Sequence, residues 1–158
     1  MAQLYMDSMA LDGCSGHEAG RLLLRRLYET HAGDPLPSIR TGPMGKPYFA
    51  DSPWHFSISH TKHHAFCVLS DVPVGIDAEE MDRRIRLDMA PKILSQRELA
   101  QFHAAEDPRL ALLQFWVLKE AQAKLNGEAM KWHPTHTEFT LPDHRIRQIN
   151  GCLVAVMY

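Results

Sequence analysis

The sequence has few of the features that mark secreted, membrane-spanning or metal-clustered proteins. Its three cysteines, Cys14, Cys67 and Cys152, are far apart and do not show the paired spacing of a zinc or redox motif. No apolar run reaches the length of a transmembrane helix, and the start of the chain lacks the basic residue and the unbroken apolar stretch of a signal peptide. These absences predict a reduced, cytoplasmic protein with no membrane partner.

An excess of charge of one sign is also missing. Lysine and arginine total 17 against 19 aspartate and glutamate residues, which gives a formal net charge of -2. A nucleic-acid-binding surface needs a clear basic excess, so we expect no nucleic-acid partner and only a local anion site. With 45% hydrophobic residues in 158, the chain can bury a core as one globular domain or as two small intertwined halves.

The order of the predicted elements indicates an α+β fold, because strands and helices do not alternate regularly. Short apolar runs bounded by turn residues predict strands at 3–7, 55–60, 65–70, 74–80, 137–141, 145–149 and 152–157. Apolar residues at helical spacing predict helices at 16–30, 96–105 and 108–126. The three strands between 55 and 80 are expected to form a meander in the middle of one sheet.

The predicted strand at 74–80 carries two carboxylates that suit a hard cation. Asp77 and Glu79 are two residues apart, so both side chains leave the same face, with their bases about 6 to 7 Å apart. Oxygen ligands in this arrangement are typical of Mg²⁺, which completes its shell with water and substrate phosphate. The alternative is a strand that exposes alternate acidic residues to solvent.

The helix predicted at 108–126 places a second carboxylate beside a cation. Glu120 and Lys124 are one turn apart and share a face of this helix. Because most neighbouring residues at 112–118 are apolar, part of the helix is expected to be buried, which favours a functional cleft. The alternative is a surface ion pair that contributes a few tenths of a kcal/mol, about the usual value for this spacing.

Three further residues have weaker patterns. Ser59 and His60 end a predicted strand and could bind a phosphate or simply enter a turn. Lys46, in a Gly-Lys-Pro segment, could approach a nucleotide or belong to a turn. Histidines are crowded at 60–64 and 133–136, but no cysteine or helical HExxH pattern accompanies them, so solvated histidines are favoured over a zinc site.

Five of these segments, taken in order, resemble the phosphopantetheinyl transferase superfamily, and most closely a short version of its surfactin-synthetase-activating type. The matching segments are GKP (45–47), FSISH (56–60), VGIDAE (74–79), LSQRE (94–98) and WVLKEAQAK (116–124). None of them is specific alone, but their order and spacing match the family over about half of the chain.

The resemblance implies a fold of two similar α+β halves, a pseudo-dimer in which coenzyme A lies in the cleft between the halves. The halves are expected at 1–72 and 73–158. The resemblance assigns Asp77, Glu79 and Glu120 to a magnesium ion in this cleft.

The resemblance also implies a set of coenzyme-binding residues. Lys124 is expected at the pyrophosphate, Ser59 and His60 at the nucleotide phosphates, and Lys46 near the adenine. Magnesium is the implied metal, and coenzyme A is the implied co-substrate.

The chain departs from the family pattern in several places: Thr61 and Lys62 replace the usual Ser and Gly, Leu94 stands where Phe is common, and two further departures affect binding. Larger members usually hold the 3′-phosphate of coenzyme A with basic residues ahead of the first long helix, whereas residues 1–16 contain no lysine or arginine. His17, Arg21 or Arg25 is a candidate substitute, and Arg25 is the one we predict. The family's Gly-x-Gly-Leu pattern after the second long helix is also changed at 127–130, which affects the loop expected to face a carrier protein.

The expected activity is that of a 4′-phosphopantetheinyl transferase of the holo-acyl-carrier-protein synthase type, acting on a serine of an apo acyl or peptidyl carrier protein and releasing 3′,5′-ADP. Asp77, Glu120 and Lys124 are the predicted catalytic residues, with Glu120, or a water that it positions, as the base for the serine hydroxyl. Lys119 is a less favoured base, because it points about 100° away around the helix. The alternatives are a degenerate member that binds coenzyme A or a carrier without turnover, and an unrelated small α+β protein.

Overall fold

The helices and strands follow one another in a mixed order in the computed structural model, which describes residues 1–128 and 133–158. The strands are β1 (Leu4–Ala10), β2 (Ile39–Thr41), β3 (Pro47–Phe49), β4 (His55–His60), β5 (His64–Ser70), β6 (Gly75–Glu80), β7 (Ile146–Ile149) and β8 (Cys152–Met157). The helices are α1 (Gly16–His31), α2 (Ala90–Ile93), α3 (Gln96–Ala104) and α4 (Pro108–Asn126). The predicted α+β class is confirmed.

The predicted change in the carrier-facing loop falls partly at residues 129–130, which lie outside the described residues. Within the described part of the chain, the structure has no helix that combines the length and the apolar character needed to cross a bilayer.

The first half of the chain forms a three-stranded antiparallel sheet in the order β1-β5-β4, with α1 packed against it. Helix α1 begins at a capping box, in which Ser15 and Glu18 satisfy each other's backbone N–H groups. Leu23 and Leu24 of this helix are fully buried and pack in one cluster with Phe56 of β4. The apolar periodicity of this segment therefore predicted both the helix and the face that it buries.

The second half forms another three-stranded antiparallel sheet, in the order β6-β8-β7, with α4 packed against it. The prediction of one meander through β4, β5 and β6 is wrong, because β6 pairs with β8 and not with β5. Both edges of β5 are already paired, one with β1 and one with β4, so no edge remains for β6.

Two serine side chains join the sheets where β4 passes β6. The Ser57 hydroxyl oxygen accepts a hydrogen bond of 3.0 Å from the N–H of Ile76, and the Ser59 hydroxyl oxygen accepts one of 3.1 Å from the N–H of Ala78. Both serines are buried, so these bonds satisfy backbone groups that water cannot reach. This junction places the end of β4 beside the acidic residues of β6.

The strand predicted at 137–141 is wrong. The backbone there bonds to side chains of α3: the N–H of Phe139 donates to Glu98 Oε2 at 2.9 Å, and the N–H of Leu141 donates to Gln101 Oε1 at 3.1 Å. Glu98 also forms an ion pair of 2.8 Å with Lys119 of α4, and both side chains are fully buried. Polar side chains of α3 therefore hold this segment in place without a sheet partner.

Candidate active site

The position of the site depends on the close approach of β6 to α4. A Cβ atom at Gly75 would lie 2.1 Å from the carbonyl oxygen of Ala121 and 2.5 Å from the backbone nitrogen of Leu125. Only glycine permits this contact between the two backbones. Asp77 follows two residues later on the same face of β6, and it therefore meets Lys124 on the adjoining turn of α4.

Asp77 is the most deeply buried carboxylate of the site, with 6% of its surface exposed. Its Oδ1 lies 3.0 Å from Lys124 Nζ and accepts a hydrogen bond of 3.3 Å from the Ser59 hydroxyl. Its Oδ2 is buried and, among the described residues, has no hydrogen-bond partner. Burial raises the pKa of Asp77, and Lys124 opposes this change.

Glu79 lies at the more open end of the same strand face. Its Oε1 accepts a hydrogen bond of 3.1 Å from Trp116 Nε1 and forms an ion pair with Arg83. Partial burial, together with the nearby Asp77 carboxylate, raises the pKa of Glu79. A single oxygen of Glu79 therefore binds one side chain from α4 and one from the segment after β6.

Glu120 completes the group from α4. Burial, followed by the negative charge of Asp77, raises the pKa of Glu120 to about 7. The charges of Glu79 and Lys124 act on the same carboxyl, so the structure brings together the four residues that the two sequence patterns predicted separately.

The donor set fits a hard divalent cation. Asp77, Glu79 and Glu120 offer carboxylate oxygens, which are the ligands that Mg²⁺ prefers. The Oδ2 of Asp77, which has no hydrogen-bond partner in the described part of the chain, is a buried acceptor with unused capacity, and such atoms are rare in folded proteins. Burial raises the pKa of all three carboxyl groups, and the charge of Asp77 adds to this effect at Glu79 and Glu120; a bound cation would oppose both effects.

Lys46 and Lys124 line the same cleft, whose walls also include Phe56 and Ile58 of β4. The ammonium of Lys46 donates to the carbonyl oxygens of Val74 at 3.1 Å and Leu125 at 3.2 Å. Burial lowers the pKa of Lys46. These two hydrogen bonds connect the start of β6 to the end of α4, and Lys46 forms part of the cleft wall.

The other predicted binding residues are placed differently. The Ser59 hydroxyl is buried and bonded to β6, whereas His60 is exposed and lines a second cleft that includes Glu79. The ring of His60 covers Gly16 at the start of α1, where a Cβ atom would lie 2.3 Å from His60 Cγ. Arg25 is exposed in a groove along α1, and Asp77, Glu79 and Glu120 are not among the described residues that line that groove.

Sequence analysis missed two partners of Glu79. Trp116 is four residues before Glu120 and so shares its helix face, a spacing that could have linked the indole to the site. Arg83 lies in the irregular segment after β6, where residue spacing carries no geometric information. Its guanidinium carbon also lies 5.8 Å from the centre of the Trp116 ring.

Comparisons with known proteins identify relatives of this chain. A family model for the 4′-phosphopantetheinyl transferase superfamily matches residues 73–153, which include β6 and α4. The 4′-phosphopantetheinyl transferase gsp of Aneurinibacillus migulanus is 31% identical over 115 residues, which cover 70% of this chain and 48% of that protein. The 4′-phosphopantetheinyl transferase AcpT of Salmonella typhi is 35% identical over 129 residues, which cover 78% of this chain and 64% of that protein.

A third relative, the 4′-phosphopantetheinyl transferase psf-1 of Bacillus pumilus, is 30% identical over 118 residues, or 72% of this chain and 50% of that protein. The chain thus spans about half to two thirds of the length of these three relatives. The family predicted from the sequence motifs is confirmed: this chain belongs to the 4′-phosphopantetheinyl transferase superfamily.

Proposed function

We propose that this protein transfers 4′-phosphopantetheine from coenzyme A to a serine of an apo acyl or peptidyl carrier protein and releases 3′,5′-ADP. The observation that carries the proposal is the convergence of the charges of Asp77, Glu79, Glu120 and Lys124 where β6 meets α4, in a chain that belongs to this superfamily. The reaction class is that of a holo-acyl-carrier-protein synthase.

Asp77, Glu79 and Glu120 are the proposed magnesium ligands. Bound Mg²⁺ would supply positive charge for the pyrophosphate of coenzyme A as negative charge develops on its oxygens. The protein's own part is to hold three carboxylates at fixed positions on two rigid elements, β6 and α4. The Ser59 hydroxyl and the indole of Trp116 orient two of these carboxylates by hydrogen bonds.

Glu120 is the proposed base. It would act either directly or through a water that it positions. The carrier serine gives its proton to Glu120, its oxygen bonds to the β-phosphorus, and the bond from that phosphorus to the bridging oxygen breaks. The leaving 3′,5′-ADP carries the released negative charge, and Lys124 is the ammonium placed to stabilise it.

The cleft that Lys46 and Lys124 share is the proposed nucleotide pocket. Its apolar walls, which include Phe56 and Ile58, suit the face of an adenine ring. The anchored ammonium of Lys46 contributes positive charge at the wall without leaving its two carbonyl partners.

His60 is proposed to contact the nucleotide phosphates of coenzyme A, and Arg25 is proposed to contact its 3′-phosphate. The ring of His60 packs against Gly16, the residue before His17. His17 lines the groove along α1, together with Arg21 and Arg25. Basic side chains therefore extend from His60 along α1. Ser59 contributes indirectly, because its hydroxyl positions Asp77.

We also propose that residues 1–72 and 73–158 are the two halves of a pseudo-dimer. The matching strand orders support this, because β1-β5-β4 and β6-β8-β7 each place the last strand of the half in the centre. One long helix, α1 or α4, packs on each sheet. The cleft of the proposed site lies where the two sheets meet.

The test is incubation of the protein with coenzyme A, Mg²⁺ and a panel of apo acyl and peptidyl carrier proteins, followed by intact-mass measurement. We expect at least one carrier to gain the mass of the phosphopantetheine arm, and the gain to disappear when its acceptor serine is replaced by alanine. Binding of coenzyme A by calorimetry without a mass gain on any carrier would instead identify a protein that binds without turnover.

A further inference from the structure

Three side chains with metal-binding atoms converge at a point that the proposed transfer reaction does not use. His64 begins β5, Glu80 ends β6 and Cys152 begins β8. One ligand atom from each, a ring nitrogen, a carboxylate oxygen and the thiol sulfur, lies within 4.8 Å of the others. His64 and Glu80 are 16 residues apart in the sequence, and Glu80 and Cys152 are 72 residues apart, so the three residues do not form a recognisable sequence motif.

The distances between these atoms resemble those of a tetrahedral zinc site. Cys152 Sγ lies 3.5 Å from Glu80 Oε2 and 3.9 Å from His64 Nδ1, and His64 Nδ1 lies 3.8 Å from Glu80 Oε1. Usual zinc bond lengths and tetrahedral angles place such ligand atoms about 3.4 to 3.6 Å apart. Two of these distances are to different oxygens of Glu80; with one carboxylate oxygen as the ligand, the three atoms lie within 4.8 Å of one another, and small side-chain rotations would bring them to ligand positions.

The backbone and its neighbours hold the group in place. Glu80 and Cys152 are direct partners in the β6–β8 ladder, so their relative position is set by the sheet. The Thr61 hydroxyl donates to Glu80 Oε1 at 2.6 Å, and the N–H of His63 donates to the same oxygen at 3.3 Å. Hydrogen bonds of this kind orient a carboxylate ligand.

We propose that His64, Glu80 and Cys152 form a binding site for Zn²⁺ or a metal of similar ligand preference. Thiolate and imidazole ligands favour such ions over Mg²⁺, so the site differs in chemistry from the three-carboxylate group of Asp77, Glu79 and Glu120. Glu79 and Glu80 point to opposite faces of β6, which separates the two sites. Binding releases the thiol proton of Cys152 to solvent, and the fourth position is left to water or a ligand from solution.

The site has a structural consequence. Its three ligands come from β5 of the first sheet and from β6 and β8 of the second sheet. A metal held there would connect the two sheets directly, at the opposite face of β6 from the proposed cleft. The midpoint of thermal unfolding is therefore expected to rise with the concentration of Zn²⁺.

The first test is titration of the full chain with Co²⁺ and Zn²⁺ in an excess of Mg²⁺, which occupies the carboxylate site. We expect one Zn²⁺ per chain by calorimetry and, with Co²⁺, the near-ultraviolet charge-transfer band of a metal–thiolate bond. Absence of this band in the folded wild-type protein would overturn the proposal, and no variant is needed for that result.

The second test uses two cysteine variants. Cys152→Ser should lose the Co²⁺–thiolate band and weaken Zn²⁺ binding by about 100-fold or more. Loss of a residue that only orients a metal ligand costs about 10- to 100-fold in affinity, and loss of the ligand itself should cost at least as much. Cys67→Ala is the matched control, because Cys67 is buried in the core of the first sheet and should keep the band. Glu80→Gln should weaken Zn²⁺ binding with the band retained. An unchanged band in folded Cys152→Ser protein would contradict the site.

Discussion

The ammonium of Lys124 lies 3.0 Å from Oδ1 of Asp77, an ion pair that connects the last turn of α4 to the middle of β6. The other oxygen of the same carboxylate is buried and has no hydrogen-bond partner among the described residues. One oxygen is thus neutralised by the protein, and the second is left as an acceptor for a cation. The charged groups of the site are already in position before a ligand binds, so fewer polar groups need to reorient during the reaction.

The raised pKa of Glu120 predicts how stability depends on pH in the metal-free protein. The folded-state pKa of Glu120 is about 7, against an ordinary value of 4.5. Between pH 4.5 and pH 7, Glu120 is therefore protonated in the folded protein and ionised in the unfolded chain. The stabilising contribution is therefore complete below pH 4.5 and is lost as the pH rises through 7. Urea unfolding at several pH values should show a free energy of unfolding that falls over this interval.

The matching variant is Glu120→Gln, which keeps the shape and removes the proton exchange. Its free energy of unfolding should fall less steeply over the same pH interval, and a smaller slope should remain because Asp77 and Glu79 also have raised pKa values. The exposed Glu106 provides the control variant Glu106→Gln. Equal slopes for wild-type and Glu120→Gln proteins would disprove the assigned shift.

Arg83 competes with a cation for Glu79, because it forms an ion pair with the same carboxylate oxygen that accepts from Trp116. Replacing it in Arg83→Gln should tighten Mg²⁺ binding by about two- to five-fold, the range expected from a partly exposed ion pair. Calorimetric titration with Mg²⁺ measures the change. The exposed Arg84 gives the control Arg84→Gln, and weaker binding in Arg83→Gln would show that Arg83 supports the site instead.

Gly75 should not tolerate a side chain. In Gly75→Ala, the new Cβ atom would meet the backbone of α4 at 2.1 Å, so β6 and α4 must separate. We expect a loss of about 3 kcal/mol in the free energy of unfolding, near the upper end of the usual cost of overpacking. Gly42→Ala is the control, because its nearest neighbour would lie at 3.2 Å. Equal losses in the two variants would argue against the close approach.

Lys119 is expected to act in stability and not in proton transfer. Its ammonium pairs with Glu98 and also donates to the carbonyl oxygens of Pro134 and Thr137. Lys119→Met should lower the free energy of unfolding by about 3 to 5 kcal/mol, because it leaves Glu98 buried without its cation.

A double variant separates the two contributions of this pair. Lys119→Met combined with Glu98→Gln should be less destabilised than the sum of the two single variants, since it leaves no unpaired buried charge. Chemical denaturation of all four proteins measures the coupling. An additive result would show that the two buried side chains do not stabilise each other.

Local patterns were sufficient to predict most elements and the centre of the site. The positions of β4, α3 and α4 follow from apolar spacing, and the caps at Ser95 and Gly127 set the ends of two helices. The pairs Asp77 with Glu79 and Glu120 with Lys124 each share a face for geometric reasons that need no tertiary structure. Their meeting was inferred from resemblance and is now seen as contact between β6 and α4.

Features that depend on distant contacts could not be predicted in this way. The sequence does not show that β5 pairs with β1 on one edge and with β4 on the other. Because β6 follows β5 directly in the chain, β6 was predicted to pair with β5, which is the wrong sheet. The sequence also does not show that the backbone N–H of Phe139 donates a hydrogen bond to the side chain of Glu98 and not to a neighbouring strand. The approach of Cys152 to His64 is of the same kind, since it requires both sheets to be assembled.

The most direct test of the account is the initial rate of 3′,5′-ADP release with coenzyme A, Mg²⁺ and an accepted apo carrier, compared between wild-type, Glu120→Gln and Glu106→Gln proteins. If Glu120 accepts the serine proton, its variant should lose about 10²- to 10⁴-fold in kcat while the control is unchanged. Folding of each variant is checked by circular dichroism. A folded Glu120→Gln protein with wild-type kcat would contradict the assignment of catalysis to this cleft.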